Sequence, residues 1–320
     1  MQTTRRRLLQ MGLALPAGAG ALTAGAPAWA AGTEDDHGYV RRMWPVPTTE
    51  ADWAPVAQAL GRPGKLLDDG RVYRTSFPRR DLTVISHGVT VRPALSLSSY
   101  AAFSRYRDGR VLVMGDLVVT EAELPVVTDL VQGAGLEQTA IHKHLLAHEP
   151  QLWWTHVHAL GDAVGAARAV RAALDDTGTP AALPPDTTPG DLDAAALDRT
   201  LGRSGVWDGG IYRFTIARHE IITDHDRVLA PGMGPTTVLG FQPTGGGGAA
   251  VNGDIAMRAG EVQAVIRALR GGGIGVVELH HHMLRDRPHL FYLHFWAHAD
   301  AVELAGTLRD AVDATHTAAP

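Results

Sequence analysis

Ile141-His142-Lys143-His144-Leu145-Leu146, followed by Glu149-Pro150-Gln151-Leu152-Trp153-Trp154-Thr155-His156, is written a second time in this chain. The second version reads Leu279-His280-His281-His282-Met283-Leu284, then Arg287-Pro288-His289-Leu290-Phe291-Tyr292-Leu293-His294. Each histidine of the first set precedes its counterpart by 138 residues (142 to 280, 144 to 282, 156 to 294). Three histidines held twice in one frame point to a duplicated polar site rather than to scattered surface residues.

The duplication runs outward from there. Leu60-Gly61-Arg62-Pro63-Gly64 matches Leu201-Gly202-Arg203-Ser204-Gly205, and Asp69-Gly70-Arg71-Val72-Tyr73-Arg74 matches Asp208-Gly209-Gly210-Ile211-Tyr212-Arg213. Pro78-Arg79-Arg80-Asp81 matches Ala217-Arg218-His219-Glu220. Gly115-Asp116 pairs with Gly253-Asp254, and Glu123 with Glu261. Pro180, Pro184, Pro185 and Pro189 mark a linker between the copies. The expected division is a repeat domain over 45–175, a Pro-rich linker over 176–190 and a second repeat domain over 191–316.

Each copy predicts the same elements. A short helix (50–60; 192–201) leads into an extended segment (71–76; 210–215), with a further extended piece over 82–91. A strand over 111–119 precedes an amphipathic helix, in which Leu124, Val127, Leu130 and Val131 recur at helical spacing, as do Val262, Val265, Ile266 and Leu269. Two strands forming a hairpin across His148-Glu149-Pro150, and a helix over 163–174 (301–312), close the unit. Strand, helix, two strands and helix make an α+β fold. Each domain is then a mainly antiparallel sheet with helices on one face, compatible with a ferredoxin-like arrangement, the two related by a pseudo-twofold axis.

Residues 1–30 read as an export signal rather than as fold. Arg5-Arg6-Arg7 lies in a twin-arginine pattern, a short Gly/Ala-rich apolar run follows, and Ala28-Trp29-Ala30 is a small-residue cleavage site. Removing those three arginines takes the net charge from −5 to −8, which argues against a nucleic-acid partner. The chain has no cysteine. Disulfides, thiolate ligands, a cysteine nucleophile and a lipidated cysteine are therefore excluded. The expectation is a soluble periplasmic or extracellular protein, not lipidated and without a membrane span in its mature chain. Its ligand would be a small molecule or a cell-envelope component.

His142 and His144, two apart on a strand, project from one face. If either lies opposite His156 on the neighbouring strand, all three imidazoles share that face; an odd shift would separate them. The same holds for His280, His282 and His294. Neutral imidazoles ligate divalent transition metals, zinc first and copper, iron or nickel as alternatives, and three of them leave a coordination position open. Without metal, such a cluster would be an acid/base or anion site. Asp116 and Asp254 are candidates to orient the imidazoles from behind, or else simple turn caps. Glu123 and Glu261 are candidate proton carriers or fourth ligands, the bland alternative being the capping box Thr120-x-x-Glu123, whose Thr is replaced by Arg258 in the second copy. Arg79 and Arg218 are candidate binders of an anionic substrate group, or partners of Asp81 and Glu220. His158 and His298 lack histidine counterparts. Trp153, Trp154, Phe291 and Tyr292 read as sheet packing, and Gly245-Gly246-Gly247-Gly248 as a flexible connection.

In these residues (Leu-Gly-Arg, Pro78-Arg79-Arg80-Asp81, Gly115-Asp116-Leu117 with Glu123, His142-x-His144 and His156) the chain resembles the LppY/LpqO family of bacterial exported proteins, whose function is unknown. The resemblance covers the mature chain but departs in two ways: there is no cysteine to lipidate, and Lys143 and His281 stand where the family favours an asparagine between the histidines. The resemblance implies no activity. Whether the protein is an enzyme is open at this stage. The leading reading is a metal-dependent enzyme that activates water or oxygen for a small or cell-envelope substrate. The alternatives are a non-catalytic protein for metal buffering, delivery or sensing, and an envelope interaction module with structural histidines.

Overall fold

The computed structural model describes residues 42–181 and 190–318; the segment expected to be an export signal, over 1–30, and most of the expected linker over 176–190 lie outside them. The first repeat holds strands β1 (Lys65–Leu67), β2 (Val72–Pro78), β3 (Val84–Ser86), β4 (Val89–Val91), β5 (Ser98–Arg105), β6 (Val111–Thr120), β7 (Glu137–His142), β8 (His148–Glu149) and β9 (Leu152–Gly161). Its helices are α1 (Ala54–Leu60), α2 (Pro93–Ser96), α3 (Leu124–Gly133) and α4 (Ala163–Asp175). The second repeat holds α5 (Ala194–Leu201), β10 (Val206–Asp208), β11 (Ile211–Ala217), β12 (Thr223–Asp224), β13 (Arg227–Val228), β14 (Thr236–Gly245), β15 (Gly248–Met257), α6 (Val262–Gly271), β16 (Gly275–His280), β17 (Asp286–Arg287), β18 (Phe291–Asp300) and α7 (Ala301–Asp313).

Each repeat builds a six-stranded sheet of antiparallel neighbours, in the order β1-β2-β5-β6-β9-β7 and β10-β11-β14-β15-β18-β16. In each sheet one strand (β9, β18) lies between two that a helix connects (β6-α3-β7, β15-α6-β16). This split β–α–β unit is the part shared with ferredoxin-like arrangements. The α+β expectation of two homologous, mainly antiparallel domains with helices on one face holds.

The burial of β6 explains the layering. Its residues 111–119 are all buried, yet they alternate between two cores. Val111, Val113, Leu117 and Val119 join Val127, Val131 and Val170 of the helices. Leu112 and Met114 join Ile222, Met233 and Tyr292 of the second repeat, and Val118 joins Ile211, Ala250 and Trp296. Alternation on a pleated strand thus sends one side chain to the helices and the next to the other repeat. The order is helices, sheet, sheet, helices, and the two sheets face each other.

The central interface is sealed by exchanged arms. Strands β4-β3-β8 form one three-stranded sheet and β13-β12-β17 its counterpart. The β3–β4–α2 arm packs on the second repeat, where Arg213 donates to the carbonyl of Ala94 and Arg92 Nη1 to Gly210 O at 3.2 Å. In return Tyr106 Oη donates to Val228 O at 2.9 Å. Segment 143–151 is therefore not a simple hairpin loop. It makes an excursion through β8, which pairs with β3, while β7 and β9 still neighbour each other. The four glycines 245–248 are no loose connection either. Gly245 pairs with Gly248 in the tight β14–β15 turn, and positive φ at Gly245, Gly246 and Gly247 gives the reason for glycine there.

Buried Gln242 shows how the arms are fastened: its Oε1 accepts from Arg92 N at 2.7 Å and its Nε2 donates to Thr90 O at 2.8 Å. Gln242→Leu leaves both backbone groups without partners, at a cost of about 1–3 kcal/mol. Chemical denaturation should show that loss as a lower midpoint with an unchanged slope.

Candidate metal centre

The register decides where the histidines go. Strand β7 pairs with β9 so that Ala140 faces His156 and His142 faces Trp154. This is further along than either pairing expected from sequence, but of the same parity, so His142 and His156 keep to one face. His144 lies just past the end of β7. That face is the one between the sheets, and its consequence could not be read from one repeat. All six histidines meet there.

His142 stacks on His280 across the pseudo-twofold axis, with ring centroids 4.0 Å apart. His144 reaches His294 at 3.8 Å, and the symmetric pair His156 and His282 lie 4.2 Å apart. The expectation of one site per repeat therefore gives way to a shared cluster, in which each His-x-His meets the third histidine of the other copy. The cause is the apposed sheets: residues that share a face of one sheet point at the same face of the other. Each His-x-His segment is also held by the opposite repeat. Asn252 Nδ2 donates to His144 O at 2.6 Å, Lys143 N to Glu278 Oε2 at 2.8 Å, and Thr139 Oγ1 to His282 O at 2.6 Å.

The Gly-Asp pair serves the cluster from behind. His156 Nδ1 lies 3.2 Å from Gly115 O, and His294 Nδ1 lies 2.7 Å from Gly253 O. Donation to a carbonyl there leaves Nε2 as the bare acceptor that faces the cluster. A Cβ at Gly115 would sit 2.7 Å from Tyr100 O, and one at Gly253 only 2.0 Å from Val238 O; the close approach needs glycine. Asp116 Oδ2 lies 3.3 Å from His144 Nε2, and Asp254 Oδ2 lies 2.9 Å from His282 Nε2. Of the four aromatics read as sheet packing, Trp153 and Phe291 do pack on the helix-side cores. Trp154 and Tyr292 pack in the cores between the sheets and also stack on His144 and His282, at 4.4 and 3.5 Å. Lys143 points away, its Nζ bonded to Gln151 Oε1 and resting over Trp153.

Two observations fit a cation. His156 Nε2, His294 Nε2, His142 Nδ1, His282 Nδ1 and both nitrogens of His280 are buried without a hydrogen-bond partner, as are Asp116 Oδ1 and Asp254 Oδ1. Buried polar atoms left in that state are costly unless something satisfies them. The ligand atoms of His142/His144/His294, His142/His156/His280 and Asp254/His280/His282 also lie close enough together to hold a metal ion.

Glu123 and Glu261 go elsewhere. Glu123 accepts from Arg79 through both carboxylate oxygens (2.8 and 3.1 Å), and Arg79 also binds Asp81 and Val118 O. Glu261, Arg218, Glu220 and Ala256 O repeat that clasp. The loss of Thr120 in the second copy is explained as well. The carboxylate accepts from the backbone N of Thr120 or Arg258 at 2.7 Å, whatever side chain stands there. Arg79 and Arg218 are buried in these clasps, so neither presents its guanidinium to solvent as an anion-binding group.

With the geometry in view, the chain can be placed among known proteins. It matches the family described as a Domain of Unknown Function (DUF1259) twice, over residues 54–176 and 195–314, which is more than half of its length. The protein belongs to that family. No curated protein matches the chain. Two solved structures share 14% identity with it: EtuB from Clostridium kluyveri, covering 78% of this chain and 89% of that one at a TM-score of 0.20, and a trimeric bacterial microcompartment shell protein, PduB, covering 78% and 87% at 0.19.

Burial and mutual proximity hold every imidazole of the cluster in its neutral form. His142, His144, His156 and His280 are pushed well below the usual 6.5, His282 to about 3 and His294 to about 4. The unfolded chain takes up these protons near pH 6.5 while the fold refuses them. Their contribution to stability is thus complete above that pH and lost as pH falls toward 4 and 3. Asp254, raised by burial to about 6, acts in the opposite sense, its contribution fading as pH rises through that value, but six imidazoles outweigh one carboxyl. Melting of the chelator-treated protein should fall steeply between pH 6.5 and 4, and His282→Gln/His294→Gln should flatten that limb. The clasps give a separate expectation. Arg79→Met strands two partly exposed carboxylates and should cost about 1.5–3 kcal/mol in denaturation, with metal content unchanged.

Proposed function

We propose that this protein is a metalloprotein whose paired repeats hold two divalent transition-metal ions between their sheets. Each ion would take the His-x-His of one repeat, the third histidine of the other and an adjacent aspartate: His142, His144, His294 and Asp116 for one, His280, His282, His156 and Asp254 for the second. The observation that carries this is the set of buried, unpartnered imidazole nitrogens and carboxylate oxygens in a cluster whose ligand atoms lie, in threes, within reach of one ion. An all-nitrogen-and-oxygen donor set suits zinc, and also iron, copper or nickel.

The activity that fits best is activation of water or oxygen for a small substrate. A divalent ion supplies Lewis acidity at such a centre. The residues' own work is to exclude bulk water, through Trp154, Tyr292 and the exchanged arms, and to fix the imidazole tautomers through Gly115 O and Gly253 O. Asp116 and Asp254, in contact with His144 and His282, are the carboxylates placed to serve as fourth ligands, a role that the sequence suggested for Glu123 and Glu261. The depth of the cluster favours a second reading, a closed store or carrier for metal: His142 is only 1% exposed and His156 2%.

The reading extends to the whole chain. The repeats act as domains over 45–175 and 191–316, joined by the linker over 176–190, and the protein is related to the exported LppY/LpqO proteins. The twin-arginine signal over 1–30 carries it across the membrane as a soluble, unlipidated protein. None of the helices among the described residues is long and apolar enough to cross a bilayer.

Metal analysis of untagged, full-length protein is the test. Wild type should retain tightly bound divalent metal, and His142→Ala/His280→Ala should lose both ions together because those two rings stack at the shared axis. Asp254→Asn should weaken the ion that Asp254 would ligate and spare the other, and turnover of a small substrate by the metal-loaded wild type, abolished by chelation, would mark the centre as catalytic rather than a store. Wild-type protein with no tight metal uptake would remove both readings.

A further inference from the structure

A second polar cluster lies two residues further along β9, at His158, outside the six histidines. His158 Nε2 is 2.8 Å from Asp224 Oδ2, and His225 Nδ1 is 2.9 Å from the same oxygen. The two rings lie nearly parallel, 5.7 Å apart. Behind them Glu137 Oε2 sits 3.3 Å from His158 Nδ1 and is steadied by Arg285. Glu137 and His158 come from the first repeat, Asp224 and His225 from the exchanged β12–β13 arm of the second.

We propose that His158, Asp224 and His225 form a separate site for one divalent transition-metal ion, open to small ligands. The nitrogens of the two histidines and the Asp224 oxygen are near enough to one another to ligate a single ion. Glu137 would accept from His158 Nδ1, the carboxylate–histidine–metal relation that fixes the ring and strengthens it as a ligand. Two histidines and one carboxylate leave coordination positions free. Glu137, His158 and His225 line a cleft of about 500 Å³, with Arg110 and Gly161 among others, from which small ligands would reach the ion. His158 and Asp224 are almost completely buried, whereas the His225 side chain is one-third exposed (33%). The site thus has a fixed floor and an accessible wall.

The duplication provides an internal comparison. The symmetric positions of Glu137, His158, Asp224 and His225 are Gly275, Trp296, Ser86 and His87. Ser86 Oγ is occupied with Leu146 O, and Trp296 belongs to an apolar core. Both arms make the same two-residue turn, with φ of 47° at His87 and at His225. The scaffold is therefore shared, and three of the four donors differ together. Packing alone gives no reason to gather two imidazoles and two carboxylates on one face and an indole and a serine on the other.

The reading is independent of the six-histidine centre and is tested without disturbing it. The chelator-treated, untagged full chain is titrated with Co(II), with visible absorption reporting coordination. His225→Gly is the decisive variant, since glycine accepts the positive φ of that turn without strain and the side chain is partly exposed. Asp224→Asn is the second. Each should lose one equivalent of Co(II), or bind it at least tenfold more weakly, with the near-ultraviolet circular dichroism unchanged for His225→Gly. Unchanged stoichiometry, affinity and spectrum in His225→Gly would overturn the proposal, leaving a structural histidine–carboxylate contact. Loss of the six-histidine centre in His142→Ala/His280→Ala should leave this equivalent in place.

Discussion

Six imidazoles and two carboxylates are packed between two apolar sheets, and the rest of the molecule is arranged around that placement. Polar groups removed from water are tolerated when partnered. Here part of the partnership is supplied by Gly115 O, Gly253 O, Trp154 and Tyr292, and part is left open towards a common centre. The strand register, the glycines preceding the two aspartates and the arms that cross between repeats each keep those rings aligned and buried.

Duplication is what makes such a centre affordable. A single repeat would expose the inner face of its sheet, with Leu112, Met114 and Val118 beside His156. Two repeats cover each other's faces with matched residues, so the polar set is doubled and enclosed at once. The Arg79–Glu123 and Arg218–Glu261 clasps tie the segment after β2 and β11 to the end of β6 and β15, on each half separately. That separation accounts for their conservation between the copies without any part in the centre. Where the copies diverge, at Glu137/Gly275 and His158/Trp296, the divergence falls on opposite flanks of the same framework.

Much of the fold was legible in local pattern. The helical spacing of Leu124, Val127, Leu130 and Val131 and the apolar residues of β6 on either side of Gly115-Asp116 located those elements within a residue or two. The excursion through β8 was not legible, because a two-residue strand has too little periodicity to register. The role of Glu123 was obscured for a different reason. Its main partner, Arg79, is 44 residues away in sequence, and the backbone N–H that the carboxylate accepts from, at Thr120 or Arg258, has no signature in the residue type.

The amino-acid sequence determined that there are two copies, that each is α+β, and that each carries the same His-x-His, third His, Asp and Gly in one frame. Those properties rest on covalent spacing and on the periods of helix and strand, which act within a repeat. Tertiary structure alone decided that the two sets are one centre and that the glutamates lie outside it. It also brought His158 of one copy to Asp224 and His225 of the other. These depend on which faces meet when two sheets pack, and the free energy of burying those faces belongs to the pair, not to either copy alone.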